Sequence, residues 1–181
     1  IDNTLRTLLS HGALPIVNEN DTVATKELRV GDNDNLAAMV ASVVEADALI
    51  ICSDVDGLYT ANPRTDTTAQ LIPRVEALTA DIYAMAGGSH HSTGTGGMVT
   101  KLQAADKATA VGIETLIING QRAQSFEALL NGEAVGTLFA ARQTTLSAKK
   151  HWLLHSSKAS AEVWLDQGAA QAVQHKGASL L

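Results

Sequence analysis

The chain has 181 residues (18.9 kDa), 45% of them apolar, with a mean hydropathy of +0.05: enough to bury one domain's core and too apolar for a disordered chain. No apolar run approaches the roughly 18–20 residues of a membrane span. The opening IDNTLRTLLSHG lacks the basic start and apolar stretch of a signal peptide, and a lone cysteine excludes an internal disulfide framework and suits a reducing cytoplasm.

Net charge is −6 and unevenly spread: residues 1–91 hold 5 Lys/Arg against 13 Asp/Glu, residues 92–181 hold 8 against 6. An acidic main body argues against nucleic acid as partner and favours a small-molecule site built with metal or ammonium groups.

In chain order, LPIVN (Leu14–Asn18), bounded by Gly12 and the polar Asn18–Asp21, reads as a buried strand. TVATKELRV (Thr22–Val30) partly alternates and reads as a hairpin arm over the site. Asn35–Ala46 is Ala-rich and of helical length, opened by the cap-competent Asp32–Asn35. ALIICSD (Ala48–Asp54) is a second apolar strand, with Cys52 expected as a small core residue. Gly57–Arg74, containing Asn62–Pro63–Arg64, reads as a long loop. Helices are expected over Thr79–Ala86 and Met98–Val111, the latter stopped by Gly112, then a strand over Thr115–Asn119. A helix over Ala123–Asn131 and a final strand over Val135–Phe139 complete the series.

Continuously apolar strands alternating with helices predict an α/β fold with a largely parallel sheet covered on both faces. Texture changes near Gln143: HWLLH, AEVWLD and a short helix candidate, Gly168–His175, follow, and residues 140–181 carry five basic and two acidic side chains. The expected partition is therefore 1–142 and 143–181. RNA binding by the second part would need a basic face with stacking aromatics, and aromatics are only 3% of the chain.

Four polar motifs follow apolar segments. NEND (Asn18–Asp21) leaves the first strand, where open parallel sheets place ligands; it serves equally as a helix-capping turn. GDNDN (Gly31–Asn35) opens a helix whose N–H groups attract an anion, while Asp32 and Asp34 can hold a cation or an ammonium; it lacks the spaced ligands and closing Glu of a calcium loop. Ser53–Asp54 ends the second strand and suits a base, a ribose or phosphate oxygens, or simply a turn with Asp56–Gly57. GTGGMVTK (Gly94–Lys101) is the strongest. Gly96 and Gly97 let backbone approach a polyphosphate, Thr95 and Thr100 offer hydroxyls, and Lys101 stands in the first turn of a helix; the spacing is not that of a Walker loop. His90–His91 carries no metal-ligand spacing, and no metal-ligating set is expected.

VNENDTVA, VGDNDNLAA, a strand ending in SDVDGLYTANPR, and GTGGMVTKLQAA, in that order from Ile1 to about Phe139, resemble the amino acid kinase family, and within it the enzymes that phosphorylate glutamate. NEND with GDNDN is the more specific pair; TGGM-x-TK is shared with sister kinases acting on carbamate or isopentenyl phosphate. The resemblance implies a three-layer α/β/α sandwich that moves the ATP γ-phosphate, with Mg²⁺, onto the glutamate side-chain carboxylate in proline biosynthesis. It also implies a cytoplasmic homo-oligomer and feedback by proline. It assigns glutamate to Asp21 and Asn33, and ATP to Ser53, Asp54, Thr95, Gly96, Gly97, Met98, Val99, Thr100 and Lys101. Catalysis falls to Lys101 and to Asp34, which organises the lysines. Two departures stand out. The family's first strand and glycine-rich turn are expected before Ile1, so the chain reads as beginning inside a longer protein, and Arg29 stands where lysine is usual. The tail from Gln143 resembles the start of a PUA domain.

Overall fold

A computed structural model describes residues 2–18, 32–87 and 97–143, with the isolated positions 168 and 171. The hairpin arm expected over Thr22–Val30 and nearly all of the second module, its Gly168–His175 helix candidate included, lie outside the described residues.

The elements are α1 (Asp2–Ser10), α2 (Asn33–Val44), β1 (Ala48–Ser53), β2 (Arg74–Val75), α3 (Ala80–Met85), α4 (Met98–Ala110), β3 (Glu114–Asn119), α5 (Ala123–Leu130) and β4 (Thr137–Phe139). Local chemistry explains their starts. Asp32 caps α2 by accepting the Asn35 backbone N–H at 2.7 Å, and Thr79 caps α3 by accepting from the Ile82 N–H. α4 opens on Gly97, whose φ of +97° a β-carbon would disfavour.

The strands form one open sheet in the order β1-β3-β4-β2. β1 and β3 run parallel, from Ala48 opposite Glu114 to Ser53 opposite Asn119, so both end at the same edge. β4 is parallel to β2 and antiparallel to β3, making the sheet mixed but mostly parallel. The expected α/β sandwich architecture stands. Leu49, Ile51 and Ile117 share one core with Ala38 and Ala41 of α2 and Leu102, Ala104, Ala105 and Ala108 of α4. Small alanine faces let the two helices lie close together over that side of the sheet, each buried Leu or Ile contributing roughly 1.5–3 kcal/mol.

A buried threonine on β4 organises the long loop after β1. The Thr137 hydroxyl accepts the Leu58 backbone N–H at 2.8 Å and donates to the Ile72 carbonyl at 2.6 Å. Above it, Ile72 N–H donates to Leu58 O, Thr60 N–H donates to Gln70 O, and Tyr59 bridges Leu71 antiparallel. The region expected to be a plain loop therefore has paired feet and runs into β2. Beside it, Gly136 (φ +69°) sits so close to β3 that a β-carbon there would lie 2.1 Å from the Ile117 carbonyl oxygen.

Two expectations are corrected, and one helix is added. Leu14–Asn18 is not a strand: it follows α1 as irregular, exposed chain, with Leu14 83% and Ile16 91% exposed. Apolar content sufficed for the expectation, but a strand exists only where a neighbour completes its ladder. α1 itself was not anticipated. Finally, β1 alternates exposed and buried residues instead of being buried on both faces, so Cys52, expected in the core, is exposed beside the half-exposed Ile50.

Candidate functional site

Two helix N-termini meet where the parallel strands end. α2 presents Asn33 and Asp34 in its first turn; α4 presents Thr100 and Lys101 in its own. The Lys101 ammonium donates to both Asp34 oxygens, at 2.9 Å to Oδ2 and 3.2 Å to Oδ1, and the Thr100 hydroxyl lies 3.0 Å from Oδ2. Both charged side chains are largely buried, 16% exposed for Lys101 and 19% for Asp34. The acidic GDNDN segment thus does hold an ammonium, and that ammonium is the chain's own.

A second contact ties the helices together. Lys107 Nζ donates to Asn35 Oδ1 at 2.6 Å, and Asn35 Nδ2 donates to Asp32 Oδ2 at 2.8 Å. Burial pushes the Lys107 ammonium's pKa below its usual 10.5, and the nearby Asp32 and Asp106 oppose that shift.

Beside the Asp34–Lys101 pair lies a cavity of about 750 Å³. Ser53 and Asp54 at the end of β1, the loop from Gly57 to Arg64, the end of α3 through Gly87, and Gly97, Met98 and Lys101 line it. The α4 N-terminus facing this space offers unpaired N–H groups and the positive end of the dipole, which suits an anion such as a phosphate chain. Arg64 closes one wall, its guanidinium 2.6 Å from Asp54 Oδ2. Asp54 is held below the usual carboxylate range, first by a backbone hydrogen bond and then by Arg64.

Asp56, just behind the cavity, gathers three donors: Asn119 Nδ2 and an Arg122 nitrogen, both 2.9 Å from Oδ1, and the Tyr59 hydroxyl 3.2 Å from Oδ2. This anchor ties the loop after β1 to the end of β3 and the start of α5. Burial, then the Asp56 charge, pushes the Tyr59 phenol up, so it stays a donor.

The structure brings Asp34, Ser53, Asp54, Gly97, Met98 and Lys101 together at one edge, and places Asn33 beside Asp34 as the exposed first residue of α2. Thr100 is buried, with its hydroxyl turned to Asp34; Val99 is half-buried beside it, and neither lines the cavity. Asp21, Thr95 and Gly96 lie outside the described residues, as do His90–His91. Sequence reasoning missed Arg64, Tyr59, Asp56 and the α3 end. The available signal is an arginine in a loop leaving a strand's carboxyl end, a pattern that by itself fits any polar connection.

Residues 1–119 match the amino acid kinase family, and the chain belongs to that family. Among named proteins it is 54% identical over 181 residues to the glutamate 5-kinase of Idiomarina loihiensis, covering 100% of this chain and 49% of that one. It is 56% identical over 179 residues to the glutamate 5-kinase of Salinibacter ruber, covering 99% of this chain and 48% of that one. The chain thus spans about half the length of the curated relatives it matches. Two solved structures share its fold. A UMP kinase from Bacillus anthracis superposes with a TM-score of 0.54 at 17% identity, over 79% of this chain and 52% of that one. An isopentenyl phosphate kinase superposes with a TM-score of 0.54 at 24% identity, over 76% and 50%. Among the described residues no helix is long and apolar enough to cross a membrane.

Proposed function

We propose that residues 1–142 supply the nucleotide side and part of the acceptor side of a glutamate 5-kinase, which transfers the ATP γ-phosphoryl group to the glutamate side-chain carboxylate. The observation that carries this reading is the Asp34–Lys101 pair, set where two helix N-termini converge beside a cavity large enough for a nucleotide. Phosphoryl transfer needs positioning and charge neutralisation more than covalent help, and the acceptor carboxylate is already ionised near neutral pH.

ATP enters the cavity with its phosphates against the α4 N-terminus. The backbone N–H groups of Gly97 and Met98, preceded by Thr95 and Gly96, cradle them; Ser53 and Asp54 hold the nucleoside end. Lys101 stabilises the transferring phosphoryl oxygens while Asp34 fixes its ammonium. Asp21 and Asn33 orient glutamate. Asp54, which lines the cavity, is engaged by Arg64, and Asp34 beside the cavity is engaged by Lys101. That set fits a Mg²⁺ held mainly by phosphate oxygens and water, which would neutralise charge on the nucleotide. Cytoplasmic proline biosynthesis, a homo-oligomeric state, proline feedback at the acceptor site and a PUA-like module over 143–181 belong to the same reading.

The test is ATP-dependent acyl phosphate formation, trapped as the hydroxamate, by the full reading frame that encodes residues 1–181. Glutamate, aspartate and carbamate are offered in parallel. Glutamate should be the preferred acceptor; preference for either competitor would move the protein to a sister activity, and no transfer to any would refute the reading.

A further inference from the structure

Within the first turn of α4, Gly97, Met98 and Lys101 face the cavity, but Thr100 does not. The residue is 1% exposed, and among the described residues its hydroxyl has two acceptors in reach: Asp34 Oδ2 at 3.0 Å and the Gly97 carbonyl at 2.9 Å. A hydroxyl has one proton to give. Donation to a carboxylate is roughly twice as strong as donation to a neutral carbonyl, so the proton goes to Asp34. Among the described residues, Asp34 Oδ2 then receives Thr100 and Lys101 together while Oδ1 receives Lys101, which fixes the rotation of the carboxylate.

We propose that Thr100 is a positioning residue for phosphoryl transfer, its buried hydroxyl locking the Asp34 carboxylate in the orientation that aims the Lys101 ammonium at the cavity. The inference rests on the kinase reading and deepens it. The hydroxyl of the glycine-rich motif's threonine serves the carboxylate behind the lysine, and not the nucleotide. Without the hydroxyl, carboxylate and ammonium turn as a loose pair. The cost then falls on the transfer step, because a small misplacement of a charge-stabilising group matters most where charge develops.

The experiment compares Thr100→Val, close in shape but without the hydroxyl, with Thr100→Ser, which keeps it, in the full reading frame; Thr100→Ala replaces the valine variant should that not fold. Turnover of glutamate and a directly measured Kd for ATP are read separately. Thr100→Val should lower kcat about tenfold with the ATP Kd unchanged, and Thr100→Ser should stay within about threefold of the parent. A weakened ATP Kd with kcat preserved would make the hydroxyl a nucleotide ligand and overturn the proposal. Equal losses in the serine and valine variants would show that any repacking of the site is costly, whether or not the hydroxyl is kept, and also overturn it, as would unchanged kcat in the hydroxyl-free variants. If the parent binds ATP yet makes no glutamyl hydroxamate, the kinase reading fails separately. Crystal structures of parent and Thr100→Val then decide the positioning role: a carboxylate that has rotated supports it, and one that stays in place refutes it.

Discussion

Replacing Lys101 with methionine separates two roles that the Asp34–Lys101 pair combines. The pair is 2.9 Å apart, with side chains only 16% and 19% exposed, so deleting the ammonium strands a poorly hydrated carboxylate. Breaking a fully buried pair costs about 3–5 kcal/mol. Here some water still reaches Asp34 and the Thr100 hydroxyl still donates to it, so the expected loss is about 2 kcal/mol. For a domain of this size that lowers Tm by about 4–8 °C. Adding Asp34→Asn removes the stranded charge, and the double variant should regain at least half of the lost stability. Activity behaves differently: Lys101→Met should lose about 10²–10³ in kcat, and the double variant should recover none of it. Thermal unfolding followed by circular dichroism and trapping of glutamyl phosphate as the hydroxamate give the two readings. Should Lys101→Met turn over like the parent, Lys101 has no part in the transfer. A double variant no more stable than the single would mean that charge burial does not govern the site's stability.

Other expectations follow from single positions. Gly136→Ala should cost roughly 2–5 kcal/mol, since it adds left-handed strain to a clash with the Ile117 carbonyl, whereas Gly132→Ala at φ +73° meets nothing and should cost only about 1–2 kcal/mol; equal losses by denaturant titration would contradict this. Thr115→Val should raise stability by about 1 kcal/mol, because the fully buried Thr115 hydroxyl has no hydrogen-bond partner among the described residues; a measured loss would show that it has one. The Asp54 carboxyl, followed by NMR, should titrate below 3.8, so its ion pair with Arg64 is intact above that pH and is lost as pH falls through the lowered value. Arg64→Gln should move the titration only part of the way back, since the backbone hydrogen bond, the larger cause, remains; no upward movement would remove Arg64 from the account.

Much of this was legible in the sequence where the determinants are local. The Asp32 and Thr79 caps, the Ala-rich faces and the glycines after the helices lie within a few residues of what they control, and α2, α3, α4 and α5 follow them. The convergence of Asp34, Asp54 and Lys101 was legible for a related reason: parallel strands end at one edge, and helices start there. What failed depended on distant partners. Leu14–Asn18 has the composition of a strand but no ladder, and Cys52 was misplaced because only one face of β1 is packed against helices. α1 announces itself faintly through Leu5, Leu8 and Leu9, of which Leu5 alone is buried. For Arg64 the local pattern shows only a loop arginine after a strand's carboxyl end, which does not fix where the side chain lies. Its loop is landed by Thr137, which reaches Leu58 across 79 residues and Ile72 across 65.

That landing has a consequence for how such a scaffold diversifies. Because the excursion from Tyr59 to Leu71 stands on one buried hydroxyl and a short paired stem, its tip varies without touching the register of the sheet. Insertions there are thermodynamically mild, each doubling of a flexible loop costing only about 0.6 kcal/mol. Arg64 rides on that tip at the cavity mouth. Grafting the segment between its two feet from another member of the fold should therefore exchange the charge presented at the cavity mouth while leaving the lysine–carboxylate pair beside the cavity unaltered.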